Sequence, residues 1–352
     1  MELEQLVEKA RQSTLFCAPV SGPDLERFLH EEGDRIRQMA YQALDEGIEH
    51  VYWVGAGNSW VNLFPGKYLL DKFTDLPSDV YTSYEFTWRN PKRLNKKSWV
   101  FLSSYSGATE DTLIALRHAN QKKARTIALV NKPESPMGVE AGKTIAYNSK
   151  DLYLLPMAGA YLFALEVARL SGAGGIEEII QGLEALPSLL RKQYIEEEQP
   201  SRKLAEEFLD ERLIYTLGCG PLYGLAYKFG LTVFMENMRI HGSFIETTEF
   251  RHGPVEIFDK EKPAIVVLMG TDESRPLVER VCTVCKTQGA HLLIFDAQKY
   301  PDVHPLLTPF ALTIPLQWFA VWSTLMRGIT DLDERVLMGR GLLGRGQGVT
   351  WP

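Results

Sequence analysis

The 352-residue chain is 45% hydrophobic and 24% charged, which excludes disordered, collagen-like and mucin-like architectures and leaves room for two compact domains. A formal net charge of -7, with no basic run longer than Asn95-Lys96-Lys97 or Gln121-Lys122-Lys123, makes nucleic acid an unexpected partner. Four cysteines are too few for a disulfide scaffold, and the opening Met-Glu-Leu-Glu-Gln lacks the basic and apolar regions of a secretory leader, so a reducing cytoplasm is expected.

In chain order, the stretch from about Pro23 to Glu46 has the apolar spacing of an amphipathic helix. His50 to Ser59 then reads as a buried strand running into Gly55-Ala-Gly57, with Asn58 and Ser59 at its carboxyl end. No third glycine completes a dinucleotide fingerprint here. At Gly218-Cys-Gly220 the next glycine, Gly224, comes one place late, and there is no Walker lysine. A nucleotide is therefore not expected.

After the apolar run Trp99–Leu102 comes Ser103-Ser-Tyr-Ser-Gly-Ala-Thr-Glu-Asp-Thr112, leading into a helix. A helix N-cap needs one hydroxyl side chain. Five, together with a glycine at a helix N-terminus, make a phosphate cradle, since free N–H groups and hydroxyls there all donate to an anion. Residues 176–209 are charged and read as a helical linker.

Beyond the linker the pattern returns. Leu213-Ile-Tyr-Thr-Leu-Gly-Cys-Gly220 resembles the run from His50, Thr248-Glu249-Phe250 matches Tyr84-Glu85-Phe86, and Ala264 to Leu268 matches Ser98 to Leu102. Leu292 to Phe295 likewise matches Thr126 to Val130, and the offset drifts only from 163 (His50 to Leu213) to 166 (Ser98 to Ala264). One module is used twice. Continuous apolar strands alternating with helices make each copy an α/β, doubly wound parallel sheet. The expected boundaries are an N-terminal helical segment 1–47, module one 48–175, the linker 176–210, module two 211–328 and a tail 329–352.

Module two carries different chemistry. Its turn Gly270-Thr-Asp-Glu-Ser-Arg-Pro276 holds two carboxylates, which repel phosphate. Glu236 interrupts the apolar helical run Leu231–Met238, where desolvation is expected to make the carboxylate a stronger base. In Thr247-Thr-Glu-Phe-Arg-His-Gly-Pro-Val-Glu256, His252 falls in a loop and suits proton transfer. Cys282-Thr-Val-Cys285 has no second pair and reads as two half-buried helical cysteines rather than a metal site. Phe310 to Met326 is too short and too interrupted for a membrane span and reads as a buried strand and helix.

The doubled module, the run Ser104-x-Ser-Gly-x-Thr-x-Asp-Thr112 and the run Glu249-Phe-Arg-His-Gly-Pro254 together resemble the sugar isomerase (SIS) domain pair over roughly residues 35–340. The resemblance is strongest to the fructosamine-6-phosphate deglycases and to the isomerase half of glucosamine-6-phosphate synthase. It implies a sugar 6-phosphate held by Ser59, Ser104, Ser106, Thr109 and the backbone N–H of Tyr105, with Gly57, Asn58, Glu249 and Arg251 as further substrate contacts. It also implies a proton-shuttling glutamate sixteen residues before the histidine, at Glu236, and a homodimer in which His252 reaches the neighbouring subunit's site. No metal or organic cofactor is implied.

Two departures favour the deglycases over the synthase. No lysine follows Lys299, and a lysine that precedes the synthase's glutamate is replaced by Val233. The expected reaction is cleavage of a 6-phosphorylated sugar-amino acid conjugate to hexose 6-phosphate and a free amino acid. Amino-sugar phosphate isomerase or deaminase activity is one alternative, and a phosphosugar sensor is another. The amino acid is left open: Asp272, Glu273 or Glu246 would suit a cationic end, Arg251 or Arg340 a carboxylate.

Overall fold

A computed structural model describes residues 3–334. The first sheet contains β1 (His50–Gly55), β2 (Ser78–Thr82), β3 (Ser98–Ser104), β4 (Arg125–Val130) and β5 (Lys143–Ala146) in the order β2-β1-β3-β4-β5. The second contains β6 (Leu213–Gly218), β7 (His241–Glu246), β8 (Ala264–Met269) and β9 (His291–Asp296) in the order β7-β6-β8-β9. All pairings are parallel. The repeat read from the sequence is thus a repeat of topology, with β5 as an addition to the first copy.

The strands read as unbroken apolar runs because both faces of each sheet are covered. Along β1, Val51 and Trp53 point into the central core, whereas Tyr52 and Val54 point into a second cluster with Phe86, Val100 and Leu116. Trp53 stacks on Phe101 at 4.7 Å between ring centroids, and Phe163 of the helix Leu154–Leu170 packs edge-on against Trp53. The central core continues to Val266 and Leu268 of the second sheet, so the two modules share one hydrophobic interior.

The chain opens with a short helix, Leu3–Arg11, and the helix expected from Pro23 begins earlier than its apolar pattern indicates, running Ala18–Asp45 with Pro23 inside it. Its first turn is held by Gln317, whose side-chain Oε1 accepts from the N–H groups of Cys17 and Ala18, both at 2.9 Å. The charged linker forms two helices, Ile176–Glu196 and Glu198–Glu207.

Two expectations for residues 310–326 are corrected. There is no strand: Thr308–Met326 is a single helix. The 22-residue segment Pro305–Met326 is also long and apolar enough to cross a membrane by length and composition, but its apolar window is wholly buried, which makes it a core helix. Pro315 within it has no N–H for the Ala311 carbonyl. The side chain of Gln193 takes over that bond at 2.7 Å, so the proline leaves no orphaned acceptor. Cys282 and Cys285 are buried on the helix Arg275–Gln288, where burial pushes their thiols up to about 11 and about 12.

Candidate active site

In each sheet the chain winds outward in both directions from one pair of neighbours, β1 and β3 in the first and β6 and β8 in the second. The crevice at the carboxyl ends of such a pair is where open α/β sheets bind ligands. Gly55 lies opposite Ser103 in the β1/β3 register, so the loops that carry Asn58 and Ser59 and Ser104 to Thr109 emerge side by side.

The hydroxyl loop leads into the helix Glu110–Gln121, whose N-cap is Thr109. The Thr109 side chain does not cap the helix. Its Oγ1 lies 2.8 Å from Ser104 Oγ and 3.5 Å from Ser106 Oγ, while Ser104 Oγ accepts from Gly107 N–H at 3.1 Å. Three hydroxyls therefore converge at a helix N-terminus, where the dipole favours an anion. The other two hydroxyls of the run do not join them. Ser103 is buried in β3, and Thr112 is fully buried and pairs with Ser83 Oγ at 3.0 Å. Tyr105 is half-buried, with its ring near Tyr147.

Asn58, Ser59 and Trp60 form the first turn after β1, entered through Gly57 at φ +52°. Asn58 Oδ1 accepts from Thr232 Oγ1 at 2.8 Å, which ties module one to the segment that carries Glu236. That segment is irregular. Lys228–Val233 forms a turn of π-helix, followed by Phe234–Glu236. Such a widened turn is frequent at functional sites. It re-aims the side chains that follow and opens a cavity of about 40 Å³ between the modules, lined by Phe16, Asn58, Lys228, Glu236 and Gln317 among others.

Glu236 is half-buried at this cavity, not enclosed as its apolar sequence neighbours implied, because Met235 beside it turns outward. Lys228 is the residue that sequence reasoning missed. It is only 5% exposed, and burial pushes its ammonium down to about 8. Its Nζ sits 3.8 Å from the centroid of the buried Tyr153 ring. The one available signal was a lysine inside the apolar run Leu222–Phe234.

The loop after β7 is built differently. The Glu246 carboxylate caps the turn Thr247–Arg251, accepting from the N–H groups of Thr248 and Glu249 at 2.8 and 3.1 Å. All of these bonds fall on Oε2 of that carboxylate. Glu249, Arg251 and His252 are exposed. Arg251 Nε donates to His252 Nε2 at 3.0 Å, which leaves the ring proton on Nδ1. His252 does not line the cavity of Glu236. Arg340 lies outside the described residues.

In the second sheet the corresponding turn is closed by its own charges. Asp272 is buried and accepts from Ser274 N–H at 2.9 Å, and Glu273 pairs with Lys72 at 2.5 Å. Arg275 binds the Gly270 carbonyl and, through two nitrogens at 2.8 Å each, the carboxylate of Asp296. Arg275 holds the Asp296 carboxyl below its ordinary range. A carboxylate depressed in this way contributes stability above its unfolded value and loses it as the pH falls through the folded one. The advantage of the wild type over Asp296→Asn in urea unfolding at pH 6 should therefore shrink as the pH falls below the unfolded Asp value of about 3.9 and vanish below the still lower folded one. An advantage that persisted in acid would show that the ion pair does not hold this turn.

Against known proteins, residues 49–170 match the family model described as the SIS domain. The chain is 35% identical over 284 residues to the fructosamine deglycase FrlB of Bacillus subtilis, covering 78% of this chain and 86% of the relative. It is 30% identical over 318 residues to the fructoselysine 6-phosphate deglycase of Escherichia coli, covering 90% and 93%. A crystal structure from Bacillus subtilis, described as that of a phosphosugar isomerase, superposes with a TM-score of 0.76 at 33% identity. It covers 86% of this chain and 95% of that one.

Proposed function

The chain belongs to the SIS domain family and is an enzyme of the phosphosugar deglycase/isomerase type, and from that premise we propose that it cleaves 6-phosphorylated sugar-amino acid conjugates to hexose 6-phosphate and a free amino acid. One observation carries this reading: the hydroxyl loop and the Asn58 turn leave neighbouring strands side by side, and Asn58 in turn lines the cavity of Glu236. A phosphate at one end and a proton-transferring carboxylate further along are what a sugar phosphate needs for chemistry at C1 and C2.

In this reading Ser59, Ser104, Ser106, Thr109 and the N–H of Tyr105 hold the phosphate, whose binding energy positions the carbons. Glu236 moves a proton between C1 and C2 through an enaminol. The nitrogen at C1 stabilises the charge that develops, and water hydrolyses the resulting imine. His252 assists ring opening from the partner subunit.

The primary test incubates the protein with fructoselysine 6-phosphate and, separately, with fructose 6-phosphate plus ammonia. Glucose 6-phosphate from the first alone supports the deglycase. Amino-sugar phosphate formation from the second alone moves the assignment to an isomerase or deaminase.

A shared site is tested by mixing Glu236→Gln and His252→Ala proteins, each inactive by itself. Subunit exchange should restore turnover, because every mixed dimer then has one intact site. No recovery after demonstrated exchange would place His252 outside the partner's chemistry.

A further inference from the structure

Lys228 and Gln317 face the same cavity, and both present donors that the fold leaves unmatched. Among the described residues the Lys228 ammonium makes no hydrogen bond and no ion pair within 4.0 Å; its contacts are with the faces of Tyr153 and Phe229. Asp151, the buried carboxylate that attracts it, is spent on its own neighbourhood, accepting from Ser21 Oγ and from the N–H groups of Tyr153 and Leu154. Gln317 is 6% exposed. Its oxygen is fixed by two backbone N–H donors, so the other end is the NH₂, and that Nε2 is buried without an acceptor.

Buried donors without acceptors cost free energy, and a buried cation more so. A cation and an amide NH₂ lining one small cavity call for a compact anion. Its other walls include the apolar Phe16, Leu152, Phe229 and Val321, and a carboxylate matches the two donors in size and charge. The cavity is also lined by Glu236, the proposed proton-transfer group, so its contents lie next to the reacting carbons.

We propose that Lys228 and Gln317 hold the carboxylate of the amino acid carried by the substrate, so that this enzyme prefers phosphosugars conjugated to amino acids over those conjugated to simple amines. This rests on the deglycase reading for the presence of an amino acid, and it assigns the group that Arg251 and Arg340 were considered for. Burial lowers the affinity of the Lys228 ammonium for its proton, and Asp151 only partly offsets this, so a bound carboxylate would hold the ammonium in its charged form.

The test uses reduced conjugates, which cannot react. These are 1-carboxymethylamino-1-deoxyhexitol 6-phosphate and its 1-methylamino counterpart, titrated calorimetrically into the full chain and into Lys228→Met. Replacing a buried ammonium by an apolar chain of similar length should leave the melting temperature unchanged or higher. The wild type should bind the carboxylate compound about tenfold or more tighter, as expected for a charge-assisted hydrogen bond. Lys228→Met should bind both compounds with the wild type's affinity for the methylamino one.

Equal affinities in the wild type, as when water alone fills the cavity, overturn the proposal. So does Lys228→Met weakening both compounds alike, which marks a structural lysine. Differential binding without turnover of the unreduced conjugates would sink the deglycase chemistry and leave the carboxylate site standing. Binding of neither compound would remove both.

Discussion

Glu236→Gln should lower turnover by roughly 10² to 10⁴-fold, the range that general acid-base catalysis contributes, while the affinity for phosphosugar stays within about twofold of the wild type. The expectation follows from where the side chain sits. Glu236 ends the short turn after the π-helical segment, half-buried at a cavity that Asn58 shares, while the phosphate-type loop lies beyond Asn58. An amide of the same size keeps the packing but cannot accept a carbon-bound proton. The informative readout is kcat against KM: a group that acts only in the transition state lowers kcat and kcat/KM together. Exchange of solvent deuterium into C1 or C2 of the product should fall with it. Unchanged turnover would remove Glu236 from the chemistry, and a large rise in KM at constant kcat would make it a binding residue.

The fold is more legible in the sequence than the site. Strand periodicity and the two Gly-x-Gly turns were enough for the doubled parallel sheet, because strands covered on both faces leave the same apolar run wherever they occur. The hydroxyl loop was legible for a similar reason: a local, contiguous motif needs no tertiary knowledge. Three of its five hydroxyl side chains, Ser103, Ser104 and Thr112, are nevertheless buried; Ser104 still reaches Thr109, whereas Thr112 pairs with Ser83. Lys228 and Gln317 were illegible because their roles depend on partners far away in sequence. Lys228 meets Tyr153, and Gln317 meets Cys17 and Ala18 about 300 residues earlier. The exposure of Glu236 was misjudged for a related reason. An apolar stretch implies burial of its average residue, but a π-helical turn re-aims the side chains after it, and nothing in Leu231–Met238 announces the turn. The strand expected near Phe310 does not form, and the helix continues through Pro315 because Gln193, from a different helix, satisfies the carbonyl that the proline abandons.

Gly107→Ala should damage phosphosugar turnover more than any single hydroxyl deletion, raising KM and lowering kcat/KM by about 100-fold, because misplacing a reacting group by roughly an ångström costs on that order. Gly107 has φ +59°, a conformation that L-residues other than Asn and Asp rarely adopt. A Cβ there would lie 2.1 Å from Ser135 Oγ and 2.5 Å from Ser135 Cβ. The loop has little freedom to yield. The Gly107 carbonyl accepts from Met137 N–H at 2.8 Å, its N–H is held by Ser104, and Ser135 caps the helix Pro136–Glu140 through Gly138. The added methyl therefore pushes the backbone that aims Ser104, Ser106 and Thr109. The backbone strain costs about 1–3 kcal/mol of stability, visible as a lower melting temperature. Pairing the change with Ser135→Gly removes the collision but not the positive φ, so the double variant should recover part of the stability. It should recover phosphosugar affinity in the same proportion if the loop geometry is what binds the phosphate. A lower melting temperature with unchanged KM for the phosphosugar would instead show that the hydroxyl loop is a structural turn and that the phosphate is held elsewhere.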